Sequence, residues 1–187
     1  VARVLSERFG DDVAEALLRE HTSYSLATLP QHMVPEDEPL ALTCGVLSRF
    51  GEARATLLLH EAGQRTGDYL MAHRIPRFAQ RLIRLLPRRA GLAVLLKSMR
   101  AHAWTFAGSG TFSVHTPAHG APLDVELRFH ACAMCRGVST DGPVCAFYAG
   151  TFERLVTALV SRTARVLEVE CQAQGGSCCR FVICGLS

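Results

Sequence analysis

The sequence predicts an α+β domain: N-terminal helices packed on an antiparallel sheet, with a late helix and a C-terminal hairpin. Three observations carry that expectation. Apolar residues recur at steps of three and four through the N-terminal half. The pattern then switches to alternation, with Val125, Leu127 and Phe129 set against Glu126, Arg128 and His130. Finally, Gly175-Gly176-Ser177 separates two short strand-like runs near the C-terminus. With 187 residues, 49% hydrophobic and 20% charged, the chain can build one sizeable core and is not a polar disordered segment. The expected organisation is a single domain over 1–187, with an N-terminal helical segment at 1–39 and the core at 40–183.

Taken in order, Val13, Ala16, Leu17 and Leu18 place an apolar stripe on a helix from Asp11 to Glu20. Pro35, Glu36, Asp37 and Glu38 read as an acidic helix start before Leu40 to Phe50, because carboxylates favour the unpaired N–H groups of a first turn. Gly51 ends that helix. A longer one is expected from Glu52 to His73, where Gly63 and Gly67 leave a side-chain-poor stripe open to another backbone or a flat ligand. Ile75, Phe78, Ala79, Leu82, Ile83 and Leu86 give the next helix an apolar face, and Arg74, Arg77, Arg81, Arg84 and Arg88 form a ridge on its other side. Pro87 interrupts it before a second helix over Gly91 to His102.

Strands are expected from Trp104 to His115 and from Leu123 to Cys132, joined by a turn over 116–122. Phe152, Leu155, Val156 and Leu159 mark a helix from about Val144 to Val160. The terminal hairpin pairs Arg165 to Ala173 with Cys179 to Cys184.

Two asymmetries bear on function. Between Asp68 and Asp124 no acidic residue occurs, while Arg74, Arg77, Arg81, Arg84, Arg88, Arg89, Lys97 and Arg100 supply positive charge. Such a block suits a carboxylate-bearing ligand, an acidic protein face or an anionic surface. It lacks the aromatic interleaving of a single-strand nucleic-acid groove, so no nucleic-acid partner is expected. No run reaches the roughly 18 apolar residues of a bilayer span, so no integral membrane contact is expected either.

The second asymmetry is cysteine. Cys44 stands alone, whereas Cys132, Cys135, Cys145, Cys171, Cys178, Cys179 and Cys184 crowd the C-terminal part. A chain able to build a core, with no signal-peptide pattern, fits reduced thiols or a metal site better than a disulfide scaffold. Pairing of the last two strands brings Cys171 towards Cys179, Cys145 closes from the start of the late helix, and Glu168 adds an oxygen. Three thiolates and a carboxylate suit zinc. Glu168 and Cys171 are three residues apart, so a regular strand would put them on opposite faces, and a bulge near Glu170 is required. Glu170 is the fallback oxygen ligand, Cys178 an alternative to Cys179, and Cys132 with Cys135 a second metal or redox pair.

The run from Val166 through Glu168, Cys171, Gly176 and Cys179 to Ile183, preceded by Gly142-Pro143-Val144-Cys145 and Phe147 to Gly150, resembles the vinyl-4-reductase-type domain family. The resemblance implies a fold similar to nitric-oxide and haem sensor domains and to TRAPP vesicle-tethering subunits. It also implies zinc held by Cys145, Glu168, Cys171 and Cys179, as in zinc-bearing sensor relatives, in preference to Glu170 and Cys178.

Within that family the whole chain is most similar to members of bacteriochlorophyll biosynthesis. This implies an accessory protein that binds and delivers a Mg-tetrapyrrole, such as a Mg-protoporphyrin ester or divinyl protochlorophyllide, to enzymes such as Mg-chelatase or the cyclase. A 4-vinyl reductase of divinyl protochlorophyllide and a small-molecule sensor are the alternatives. Reduction needs a hydride or electron source. Gly108-Ser109-Gly110 lacks the dinucleotide fingerprint and the helix that should follow it, so the expectation is a carrier with no catalytic residues. Candidate pigment contacts are Trp104, Phe106, Phe112 and Phe129 as wall residues, and His102 and His130, with His60 and His73, as axial ligands. Arg74 to Arg88 would meet propionates or dock a biosynthetic enzyme. A cytoplasmic location with peripheral contact to the photosynthetic membrane is expected, with room for a homodimer.

Overall fold

The computed structural model describes residues 1–116 and 125–186. Helices α1 (Ala2–Phe9), α2 (Asp11–His21), α3 (Asp37–Phe50), α4 (Glu52–His73), α5 (Arg77–Leu85) and α6 (Arg88–Ala101) precede strands β1 (Thr111–His115) and β2 (Val125–His130). Helix α7 (Ala146–Leu159) and the hairpin of β3 (Arg165–Glu170) and β4 (Cys179–Cys184) follow. The strands form one antiparallel sheet in the order β1-β2-β4-β3. The chain is therefore α+β, as its patterning predicts.

Period-two alternation decides which face of the sheet is dry. Val125, Leu127 and Phe129 of β2, with Cys179, Phe181 and Ile183 of β4, are buried under α7 and α6. The opposite face carries a charged network: Arg128 pairs with Glu126, and Arg180 bridges Glu126 and Glu170 at 3.3 Å each. A second cluster, formed by Val4, Leu5, Leu17, Val46, Leu58 and Leu59, holds α1 to α4 together. Leu47 and Phe147 pack against both clusters and join them.

Helices α4 and α7 meet through glycine. A Cβ on Gly63 would overlap the Phe147 carbonyl oxygen, and one on Gly150 would overlap that of His60. The side-chain-poor stripe thus receives the backbone of α7 and not a flat ligand. Thr151 crosses the same seam and donates its hydroxyl to the Gly63 carbonyl at 3.1 Å.

Several boundaries differ from expectation. Helix α1 was not anticipated, because eight residues before a Gly10 at φ 90° give too short a window for periodicity. Strand β1 begins at Thr111 and not at Trp104. Residues 103–105 form a 3₁₀ turn, Gly108 takes φ 58°, and Gly110 lies where a Cβ would meet the Ala131 and His130 carbonyls. The turn expected over 116–122 falls, apart from Thr116, outside the described residues. The apolar face expected of α5 also divides. Ile83 is buried, but Phe78 and Leu82 are 74% and 52% exposed, and Leu85, outside that face, is 84% exposed.

Candidate metal centre

Three elements converge on one buried pocket of sulfur. Cys145 is the residue before α7, Cys171 follows the end of β3, and Cys179 opens β4. Register explains their meeting. β3 runs beside β4 with Glu168 opposite Phe181 and Glu170 opposite Arg180, so Val169 is an extra residue. This is the bulge that a Glu168–Cys171 pairing requires, and it reverses the facing of the chain between the two. Cys171, Cys145 and Cys179 are fully buried. Their sulfurs lie 3.9 Å (145 to 171), 3.8 Å (145 to 179) and 3.8 Å (171 to 179) apart.

Glu168 completes this set, and the four donor atoms all fall within 4.8 Å of one another. One carboxylate oxygen, Oε2, accepts the Cys145 backbone N–H at 2.8 Å. The other, Oε1, is buried without a hydrogen-bond partner. A buried carboxylate oxygen left bare is costly unless a cation meets it. Burial, reinforced by the neighbouring Cys171 sulfur, pushes the Glu168 carboxyl up to about 10. The donor set fits zinc: three sulfurs and one oxygen, in a dry site, from separate segments of chain. A bound ion would supply charge neutralisation and a cross-link between α7 and the hairpin.

Cys132 and Cys135 join the same pocket. Cys132 lies 3.7 Å from Cys145, and Cys135 lies 3.4 Å from Cys179. They form a second four-donor group with Cys145 and Cys179. A 3₁₀ turn over Ala133–Cys135 brings the two thiols to one side, and the Gln172 side-chain carbonyl accepts the Cys132 N–H at 2.8 Å. All eight cysteines are free thiols.

The fallback ligands lie elsewhere. Glu170 accepts from the Ser177 N–H at 2.9 Å and from Arg180, because the bulge turns it to the charged face. Cys178 is buried but belongs to neither donor group, since it alternates with Cys179 along the chain. Cys184 is half-buried and meets the Arg165 carbonyl.

The aromatic candidates divide in the same way. Phe129 is fully buried and stacks on Tyr148 at 4.6 Å, while Phe106 and Phe112 pack edge-on at 5.2 Å and both reach Phe152. These rings fill the core between β2 and α7 and form no open wall, which corrects that expectation for Phe129. Trp104 is 67% exposed. His102 sits at the end of α6 with Nδ1 2.8 Å from the Ser98 carbonyl oxygen, and His130 is exposed at the end of β2. His73 packs at a tilt against the Tyr69 ring, and His60 faces Glu153 at 3.8 Å. His60 and His73 both lie on α4, His102 follows α6 and His130 ends β2, so the four do not form one cluster. One cleft of about 610 Å³ is lined by Glu61, Arg65, Asp68, Glu153, Arg154 and Arg165, a charged wall unsuited to an apolar macrocycle.

In the arginine ridge Arg74, Arg77, Arg81, Arg84 and Arg88 are all exposed. Arg84 also donates to the Ala158 carbonyl at 3.2 Å, and Arg74 lies over the Tyr69 ring. Sequence reasoning read Glu36 only as part of a helix start. Its carboxylate accepts from the Ser109 N–H at 2.6 Å, the Ser109 hydroxyl at 2.8 Å and Arg136 at 2.8 Å. It thereby ties α3 to the segment that carries Cys132 and Cys135. No local pattern could have revealed contacts that span this much of the chain.

Known proteins place this architecture. The V4R domain model matches residues 125–184, the stretch that holds β2, β3, β4, α7 and all the clustered thiols. The fold is shared with the phenol-responsive sensory domain of the transcription activator PoxR (TM-score 0.58, 16% identity, 90% of this chain and 86% of that one). It is shared equally with an unliganded Fe(II) H-NOX protein mutant from K. algicida (TM-score 0.61, 10% identity, 97% and 90%).

At the level of sequence, the bacteriochlorophyll synthase 23 kDa chain of Cereibacter sphaeroides is 46% identical over 80% of this chain and 69% of its own length. The protein of the same description from Rhodobacter capsulatus is 37% identical over 81% and 68%. The chain belongs to the family of these 23 kDa chains, the BchJ family.

Proposed function

We propose that this protein is an accessory factor of bacteriochlorophyll biosynthesis, zinc-stabilised at Cys145, Glu168, Cys171 and Cys179, that binds a Mg-tetrapyrrole and hands it to a pathway enzyme such as Mg-chelatase or the cyclase. Membership of the 23 kDa chain family supports the pathway. The observation that carries the pigment reading is the open face of α5. Phe78, Leu82 and Leu85 stand one helical turn apart in an exposed stripe, bordered by Arg77 and Arg81. A macrocycle offers a flat apolar face and carboxylate-bearing edges, which such a stripe and its guanidinium groups answer in turn. Because Phe129 is buried in the core and Phe106 and Phe112 pack against it, we assign the contact surface to α5, with the exposed Trp104 as a reporter candidate.

The carrier reading asks no redox chemistry of the chain. Among the described residues no helix is long and apolar enough to cross a membrane, and α5 suits peripheral contact. The test is an absorbance titration with Mg-protoporphyrin monomethyl ester at low salt, with Trp104 emission followed in parallel. Saturable binding that weakens at least fivefold in an Arg77→Gln/Arg81→Gln variant is expected. Equal affinity in that variant would remove α5 from the site, and no saturable binding would remove the pigment. Incubation with divinyl protochlorophyllide and NADPH or reduced ferredoxin under anaerobic conditions separates the two activities. A product heavier by two hydrogens would make the protein a reductase.

A further inference from the structure

The sulfur pocket holds more donors than one ion can use. Cys145, Glu168, Cys171 and Cys179 make one four-donor group, and Cys132, Cys135, Cys145 and Cys179 make another. The groups share one edge, the pair Cys145 and Cys179, whose sulfurs are 3.8 Å apart. Four sulfurs around a zinc at about 2.3 Å form a tetrahedron with edges of about 3.8 Å. The sulfur separations of 3.7, 3.8, 3.8 and 3.9 Å match that edge, and the 3.4 Å between Cys135 and Cys179 is slightly inside it.

We propose that the pocket binds two zinc ions in edge-sharing tetrahedra, with the Cys145 and Cys179 thiolates bridging, Cys132 and Cys135 terminal on one ion, and Glu168 and Cys171 terminal on the other. The proposal rests on the zinc reading above and adds a second ion to it.

Charge does not oppose the pair. One zinc on three thiolates and a carboxylate carries a net charge of −2, with Cys132 and Cys135 left as neutral thiols, and two zinc ions on five thiolates and a carboxylate carry the same −2, so the second ion adds no buried charge. The chain also commits backbone to the second set. Ala131, immediately before Cys132, has φ 52°, the one non-glycine residue at positive φ among the described residues. Such conformations persist where surrounding structure over-determines them. Here the Gln172 side chain holds the Cys132 N–H, and Arg136, just past Cys135, is held by Glu36. Both thiols are buried.

The measurement is zinc per chain by atomic emission, with native mass, on protein prepared with zinc present and a phosphine reductant. About two ions are expected in the unaltered chain and about one in a Cys132→Ser/Cys135→Ser variant. Replacement by Co²⁺ gives an independent reading. Two cobalt ions sharing thiolate bridges couple magnetically, so the paramagnetic signal per cobalt should be weaker in the unaltered chain than in the variant. One zinc in the unaltered chain, with an undiminished cobalt signal, would overturn the second ion and leave the single-zinc reading standing. No zinc at all would overturn both. Should the double variant fail to fold, the stoichiometry of the unaltered chain still decides.

Discussion

The sulfur pocket and the α5 face are built from opposite materials. The pocket collects soft, buried donors from β2's exit, the start of α7 and both strands of the hairpin, and every one of them is within reach of another. The α5 face belongs to a single nine-residue helix that buries Gln80 and Ile83 and exposes Phe78, Leu82 and Leu85 beside Arg77 and Arg81, apolar and cationic side by side. The first is a tertiary object, stable only when distant segments meet. The second is a secondary-structure object, present whenever that helix forms. A substitution in the pocket should therefore act on folding, and one on α5 should act on binding with the fold left intact.

The sharpest test of that contrast is Cys171→Ala. It removes a donor that joins the hairpin to α7, and loss of a structural metal belongs among the few changes that cost on the order of 4 kcal/mol or more. A midpoint of urea unfolding unchanged from the parent, with zinc content also unchanged, would break the comparison on its buried side. Next is the α4–α7 seam, which holds the pocket's helix in place. Gly150→Ala should cost about 1–3 kcal/mol, because the added Cβ meets the His60 carbonyl, a backbone group that cannot swing aside. A thermal midpoint at or above that of the parent would show that the two helices are free to separate.

Glu36 gives a smaller effect and a pH dependence. The Ser109 backbone N–H, with Arg136 and the Ser109 hydroxyl, holds its carboxyl down at about 2. A depressed carboxyl stabilises the fold above its ordinary value near 4.5, and that contribution is lost as pH falls through about 2. Glu36→Gln should lower the urea midpoint at pH 7, and the gap from the parent should close near pH 2. A gap that is the same at both pH values would mean that the charge does not matter. The smallest change in stability is expected on α5. Arg77→Gln and Arg81→Gln, both exposed, should each shift stability by no more than about 0.5 kcal/mol. A larger loss would show the ridge to be part of the fold and not a docking face.

Much of the architecture was legible because it is local. The bounds Glu52–His73 and Cys179–Cys184 follow from periodicity and from glycine punctuation, and the inward set Val125, Leu127 and Phe129 follows from strand alternation. Even the bulge was foreseeable, since Glu168 and Cys171 cannot share a face without one. Partnership was not legible. Phe78 and Leu82 read as core because hydrophobic spacing reports an apolar face and not whether anything covers it. Phe129 stood among the candidate ligand walls because aromatic composition does not distinguish a cavity from the packing that fills it.

By itself the sequence determined the longer helices and the terminal hairpin, the cationic stretch from Arg74 to Arg100 and the one run, Glu168 to Cys179, whose residues meet through hairpin pairing. Only the tertiary structure decided that Cys132 and Cys135 enter the same pocket, that Cys178 and Glu170 do not, and that Glu36 secures the segment between them and α3. The reason is distance along the chain. Spacing within a helix or hairpin is set by backbone geometry, whereas the approach of segments far apart in sequence depends on how whole faces pack, a property no short stretch of residues contains.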